Sequence, residues 1–205
     1  MRVSRNPENL DINQLLSNRK SFFPKATIKS EGPVSFRSQV VRDLACLFDV
    51  DTAIEVWTCD PPSIMISGSH YVSDLFVKDV FGREVLVDGP DRVEAPSQEM
   101  IASAAETAGF RYRRPSHGEI YSGARLRNAK DLLRYGNYHV PLGDRVRLLA
   151  ALEENGTMTI AECLTAFTEI RAVGGLASMI LHGFLEIDLD NELIGPSTTV
   201  RRIAS

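Results

Sequence analysis

The chain lacks most of what would place it quickly. It has three cysteines, Cys46, Cys59 and Cys163, odd in number and far apart, which excludes a disulfide framework and the close spacing of a zinc site. No stretch approaches the roughly 18 to 20 consecutive apolar residues of a bilayer span, and the N-terminus lacks the apolar run of a secretory signal. The expectation is a soluble, cytoplasmic protein that does not enter a membrane. Glycine-rich phosphate loops, HExxH, GxSxG and paired CxxC motifs are missing, which removes nucleotide-hydrolysing, zincin, serine-hydrolase and zinc-ribbon chemistries. The four histidines, at 70, 117, 139 and 182, are isolated from one another.

What is present is an ordinary globular composition over 205 residues, 43% hydrophobic and 24% charged, with a net charge of −4. That total argues weakly against nucleic acid, but the charge is segregated. Residues 1–34 carry +3, residues 35–110 carry −8, residues 111–138 carry +5 and residues 139–205 carry −4. Such alternation suits an acidic pocket, a basic surface and a separate acidic module on one chain.

The texture divides the same way. Residues 1–34 hold one apolar cluster, Ile12, Leu15 and Leu16, with no sustained period, and read as an N-terminal arm. From Phe36 the apolar residues recur at helical spacing, giving a helix from about Ser35 to Phe48. Strands follow at Ile54–Thr58, Ser63–Ser67, His70–Val77 and Glu84–Asp88, with turns at Gly68-Ser69 and Phe81-Gly82 that suggest an antiparallel meander. A helix from Pro96 to Gly109 precedes a strand at Phe110–Arg114 and a helix capped at Ser122. This α/β region ends near residue 138. Beyond it, a helix opening at Asp144, a shorter one capped by Thr159 and Glu162, and a third through Ile170 to Ile180 precede a hairpin, Leu185–Leu189 with Glu192–Val200. Three helices and a hairpin are the winged-helix order.

Two carboxylates stand out in the acidic segment. Asp74 falls inside a predicted strand among Val72, Phe76 and Val77, where a charge is costly unless paired, hydrated or metal-bound. Asp88 ends the next strand. On adjacent antiparallel strands the two converge on one divalent cation, or else one caps a turn and the other accepts a hydrogen bond. The basic segment places Arg111, Arg113, Arg114, Arg125, Arg127, Lys130 and Arg134 on one strand and one helix, with Tyr112 and Tyr135 interleaved, a pattern that neutralises phosphates or forms a solvated face. The third helix of the C-terminal region offers only Arg171, Ser178 and His182, so partner docking fits it better than base reading, with Arg201 and Arg202 the exceptions near its end.

The segments SFRSQVVRDLACLFDVDTAIEVWTCDPPSI, HYVSDLFVKDVFGREVLVDGP and EIYSGARLRNAKDLLRYGNYHVP, in this order and followed by a winged-helix-like region, resemble the TnsA-like transposon endonucleases of the PD-(D/E)xK superfamily. The likeness spans about residues 35–200. It implies a restriction-endonuclease-like α/β core over 35–138, a small winged-helix domain over 139–205, and an ancestral Mg²⁺-dependent cleavage of DNA. The departures matter as much: Val41 stands where the family's helix carries glutamate, and Asp88-Gly89-Pro90 stands for Glu-x-Lys. Losing one preorganised charged donor typically costs about 10² to 10³ in rate. The implied function is a catalytically impaired nuclease-like protein that binds DNA or a DNA-processing partner, with the basic segment as contact and residues 139–205 as docking module. Its rivals are an active Mg²⁺ endonuclease using Asp74 and Asp88, with Lys78, Glu84 or Arg92 in the missing roles, and an adaptor that touches no nucleic acid.

Overall fold

A computed structural model describes residues 21–93 and 95–203; the Ile12, Leu15 and Leu16 cluster lies outside the described residues. The fold is mixed α/β. Helix α1 (Gln39–Val50) starts later than its hydrophobic pattern because the Ser38 hydroxyl accepts from Val41 N–H at 3.2 Å and caps it. It buries Val41, Leu44, Ala45 and Phe48.

The central sheet is built from β1 (Ser30–Glu31), β2 (Ile54–Thr58), β5 (Leu75–Asp79), β6 (Glu84–Val87) and β7 (Arg111–Arg113), in the order β1-β2-β5-β6-β7. Strands β2, β5 and β6 form the antiparallel meander, and β1 and β7 join its edges in parallel to β2 and β6. One face carries α1 and α4 (Arg125–Leu133), whose Leu133 shares a core with Trp57, Leu75, Val77 and Val87. The other carries α2 (Gln98–Thr107), through its Ile101 and Ala105, and the hairpin β3 (Ile64–Ile66) with β4 (Ser69–Tyr71), in one core with Leu86.

Three expectations change. The predicted strand His70–Val77 divides at Val72–Asp74, because Asp74 N–H leaves the ladder and donates to Asp88 Oδ1 at 3.0 Å; Asp74 therefore precedes β5 rather than lying within it. The helix expected from a Ser122 cap is α4, and Ser122 instead closes a short helix ahead of it that the sequence pattern missed. Helix α3 (His117–Tyr121) has a Ser116–Glu119 capping box, Gly123 turns the chain at φ +70°, and α4 begins without a side-chain cap, its Ala124 N–H donating instead to the Asp190 carbonyl. Part of the expected arm also belongs to the sheet domain. Arg42, fully buried, donates to the carbonyls of Pro24 and Ala26 at 2.8 Å each, and Asp49 accepts from Ile28 N, Lys29 N and Trp57 Nε1. Ser30–Glu31 follows as β1.

In the C-terminal region α5 (Leu142–Asn155) ends at Gly156, whose φ of +76° suits the turn. Next come β8 (Thr157–Thr159), a strand the sequence pattern missed, and α6 (Ile160–Leu164), whose Thr159–Glu162 capping box forms as expected. Helix α7 (Ala172–Leu181), β9 (Leu185–Ile187) and β10 (Thr199–Arg202) complete it, with sheet order β8-β10-β9. The return strand is shorter than expected because buried Asn128 holds the preceding loop: its Nδ2 donates to the carbonyls of Leu189 and Glu192, and its Oδ1 accepts from Ile194 N–H at 3.0 Å. Helix α7 is buried on two sides. Ala177 and Leu181 enter the core under α4, while Leu176 and Met179 enter a second core with Leu148, Leu152 and Val200. No helix among the described residues is long and apolar enough to cross a membrane.

Candidate functional site

The two carboxylates singled out in the sequence meet at one end of the sheet. Asp88 is fully buried after β6, and Asp74, its side chain 4% exposed, sits at the entry to β5. They are locked reciprocally: Asp74 N–H donates to Asp88 Oδ1, and Gly89 N–H donates to Asp74 Oδ2 at 2.9 Å. Gly89 is required by space. A Cβ there would lie 2.7 Å from Asp91 Oδ1, 2.9 Å from Val41 Cγ2 and 3.4 Å from Arg37 Nη2. Val41, at the position where the resemblance expects glutamate, thus lies against this same site.

Every oxygen of the pair is engaged by two donors. Arg37 grips Asp74 with Nε and Nη2, both at 2.9 Å, and Arg92 Nη1 donates to Asp74 Oδ1 at 3.1 Å and to Asp88 Oδ1 at 2.9 Å. Asp88 Oδ2 accepts from Tyr71 Oη at 2.5 Å and Tyr112 Oη at 2.7 Å, with Arg114 at 3.7 Å. Burial, reinforced by the bond to Asp88, pushes the Tyr71 hydroxyl up to about 12 and raises that of Tyr112 as well, so both stay protonated donors. The hydrogen bonds to Asp74 raise Arg37. Asp91 feels burial pushing it up, but donors from Ser38 and Arg37 hold it below its ordinary value. Arg92 also lies over the Tyr71 ring, 4.9 Å from its centroid, and donates to the Val72 carbonyl.

A divalent cation prefers six or more oxygen ligands at open lone pairs. Here a guanidinium bridges the carboxylates, and no group of three or more acids, histidines or cysteines able to hold a metal occurs among the described residues. The residues present do not fit the ion that the resemblance implies. Of the side chains considered for the missing roles, Lys78 pairs with Glu55 at 3.0 Å and Glu84 is exposed opposite it in the strand register; Arg92 alone is in the site.

The basic residues differ in what they pair with. Arg114 turns toward Asp88, and Lys130 pairs with buried Asp43 at 2.7 Å. Arg125 grips Asp190 with two bonds, at 3.1 and 2.9 Å, and Arg113 pairs with Glu119 at 3.0 Å. Arg113 and Arg125 share a shallow depression with Phe48, Pro115 and Ile120. Arg134, well exposed, faces Asp131 at 3.4 Å. Arg111 and Arg127 are exposed and make no ion pair among the described residues.

Arg37, Tyr71, Asp91 and Tyr112 are site residues that the sequence reading did not assign. Arg37 lies 37 positions from Asp74, and only the Arg-Ser pair ahead of a capped helix marked its place. No protein family and no curated protein matches the chain in sequence.

Proposed function

We propose that this chain is a catalytically impaired nuclease-like protein of the TnsA, PD-(D/E)xK type, with a winged-helix-like C-terminal region, that binds DNA or a DNA-processing partner without cutting it. One observation carries the reading: Arg92 bridges Asp74 and Asp88, the two carboxylates that such a nuclease would turn to its cation. The order of helix, meander, crossover helix and parallel strand supports the fold assignment, as does the convergence of Val41, Asp74 and Asp88 on one end of the sheet. The three helices with a three-stranded β8-β10-β9 sheet support the winged-helix reading. A fixed guanidinium supplies charge but cannot activate water as a metal does.

The test is cleavage. Purified protein incubated with supercoiled plasmid in Mg²⁺ or Mn²⁺ leaves it intact; nicking that Asp74→Ala abolishes would replace this reading with an active endonuclease using Asp74 and Asp88.

A second reading, an adaptor that touches no nucleic acid, draws on two observations. Arg113, Arg125 and Lys130 are committed to intramolecular pairs, and α7, the helix that would enter a major groove, is buried between two cores. A pull-down with the full chain that recovers a nuclease-resistant protein partner, together with no salt-dependent DNA affinity, selects it.

A further inference from the structure

A small pocket of about 120 Å³ opens where the segment Tyr138–Val140 meets α5 and α7. At about 30 Å³ per water it has room for roughly four waters, or for one small oxyanion with part of its hydration. Its polar lining is Tyr138, His139, Arg145, Ser178 and His182, with Phe184 as an apolar wall. No carboxylate lines it, although residues 139–205 carry −4.

Arg145 differs from the cations around it. Arg147, Arg201 and Arg202 each face a carboxylate, whereas Arg145 makes no ion pair among the described residues. Its guanidinium lies 5.6 Å from the Phe184 ring centroid, and its Nε is buried without a hydrogen-bond partner. Nε is closed off, so the Nη nitrogens, which make no hydrogen bond among the described residues, are the donors offered to the pocket, and an arginine fork matches tetrahedral oxyanions. The wall opposite is prearranged. Ser178 Oγ donates to the Tyr138 carbonyl at 2.6 Å, and His182 Nδ1 lies 2.8 Å from the Ser178 carbonyl oxygen, which leaves Nε2 as the ring's remaining polar atom. The Tyr138 ring packs on Gly174, where a Cβ would lie 3.0 Å from it.

We propose that this pocket binds a phosphate group, with Arg145 as its charged anchor and His182, as the imidazolium that donates from Nε2, as a second contact. The group comes either from a free phosphate or phosphomonoester or from a nucleic-acid backbone. The site lies outside the Asp74–Asp88 cluster and does not depend on the nuclease-like reading.

The test uses the full chain, with thermal unfolding and calorimetric titration of orthophosphate against sodium chloride at matched ionic strength. Phosphate raises the midpoint of the wild-type protein and of Arg171→Gln, a charge control outside the pocket. Arg145→Gln loses the response, Arg145→Lys binds about tenfold more weakly or worse, and His182→Gln weakens binding without altering the circular dichroism spectrum. Displacement of phosphate by a nucleoside monophosphate alone identifies a small ligand; displacement by a short duplex identifies a backbone phosphate. No phosphate-specific response in the wild type, or an undiminished one in both Arg145→Gln and His182→Gln, overturns the proposal.

Discussion

Arg92 joins Asp74 to Asp88 through a single nitrogen, Nη1, at 3.1 and 2.9 Å. The guanidinium is only 22% exposed and the two carboxylates 4% and 0%, so this is a largely dehydrated cluster rather than a surface pair. With Arg37 on its outer side, two cations answer two anions, while Asp91 pairs with Arg37 and Arg114 approaches Asp88 at the margin.

Removing the bridge follows directly. Arg92→Ala leaves two buried carboxylates facing each other and should lower stability by about 3 kcal/mol, the scale for breaking a buried pair. It also frees one lone pair on each Oδ1. Mn²⁺ should then raise the midpoint of urea unfolding in Arg92→Ala and leave the wild type unchanged. A wild type that Mn²⁺ stabilises equally would show that the arginine is no obstacle to the ion.

The meeting of Asp74 and Asp88 was legible in the sequence because a meander with short turns brings successive strand ends together. Their partners were not. Arg37 and Arg92 approach from segments with no period of their own, and whether a nearby guanidinium points into a cluster or into solvent is decided by tertiary packing. The split of the strand at Val72–Asp74 was hidden for the same reason: alternation continues through it, while the backbone turns away to serve Asp88. In the C-terminal region the Thr159–Glu162 capping box was readable as a local motif, but β8 has three residues, too few for a period. Asn128 has no local signature of its role, which depends on a loop 61 residues away.

That role gives the next expectation. Asn128→Ala strands the carbonyls of Leu189 and Glu192 and the N–H of Ile194, three polar groups at a buried contact. A loss of about 2 to 3 kcal/mol is expected, with faster proteolysis in residues 188–198 while α5 and α7 stay protected. Limited proteolysis mapped by mass spectrometry measures it. Unchanged cleavage would mean that Arg125 and Asp190 hold the loop by themselves.

Glu119 supplies a pH-dependent contact. The Ser116 backbone N–H, then the Arg113 guanidinium and the Ser116 hydroxyl, hold its carboxyl down to about 2, below the ordinary value near 4.3. A depressed acid binds fewer protons in the folded state than in the unfolded one. Its contribution is therefore complete above about pH 4.3 and disappears as pH falls toward about 2. An NMR titration of the Glu119 side-chain carboxyl should show this low midpoint, and Arg113→Ala should move it upward. A midpoint near the ordinary glutamate value would remove the capping box as its cause.

The sharpest separation of the two functional readings comes from the basic residues, because the structure sorts them by availability. Arg125 is held by Asp190 and Lys130 by Asp43, so Arg125→Ala should loosen the loop after β9 and cost stability with little change in any salt dependence. Arg111 and Arg127 are exposed and unpaired among the described residues, so each is free to meet a phosphate. Each phosphate contact contributes about 0.9 to the slope of log affinity against log salt. Replacing both residues by alanine should therefore flatten that slope by about 2 for a duplex of mixed sequence, with equal losses across sequences because phosphate contacts carry no base information. Fluorescence anisotropy between about 50 and 200 mM salt resolves a change of that size. A slope indifferent to both substitutions, in a protein that still captures its partner, would move the function from DNA to protein docking.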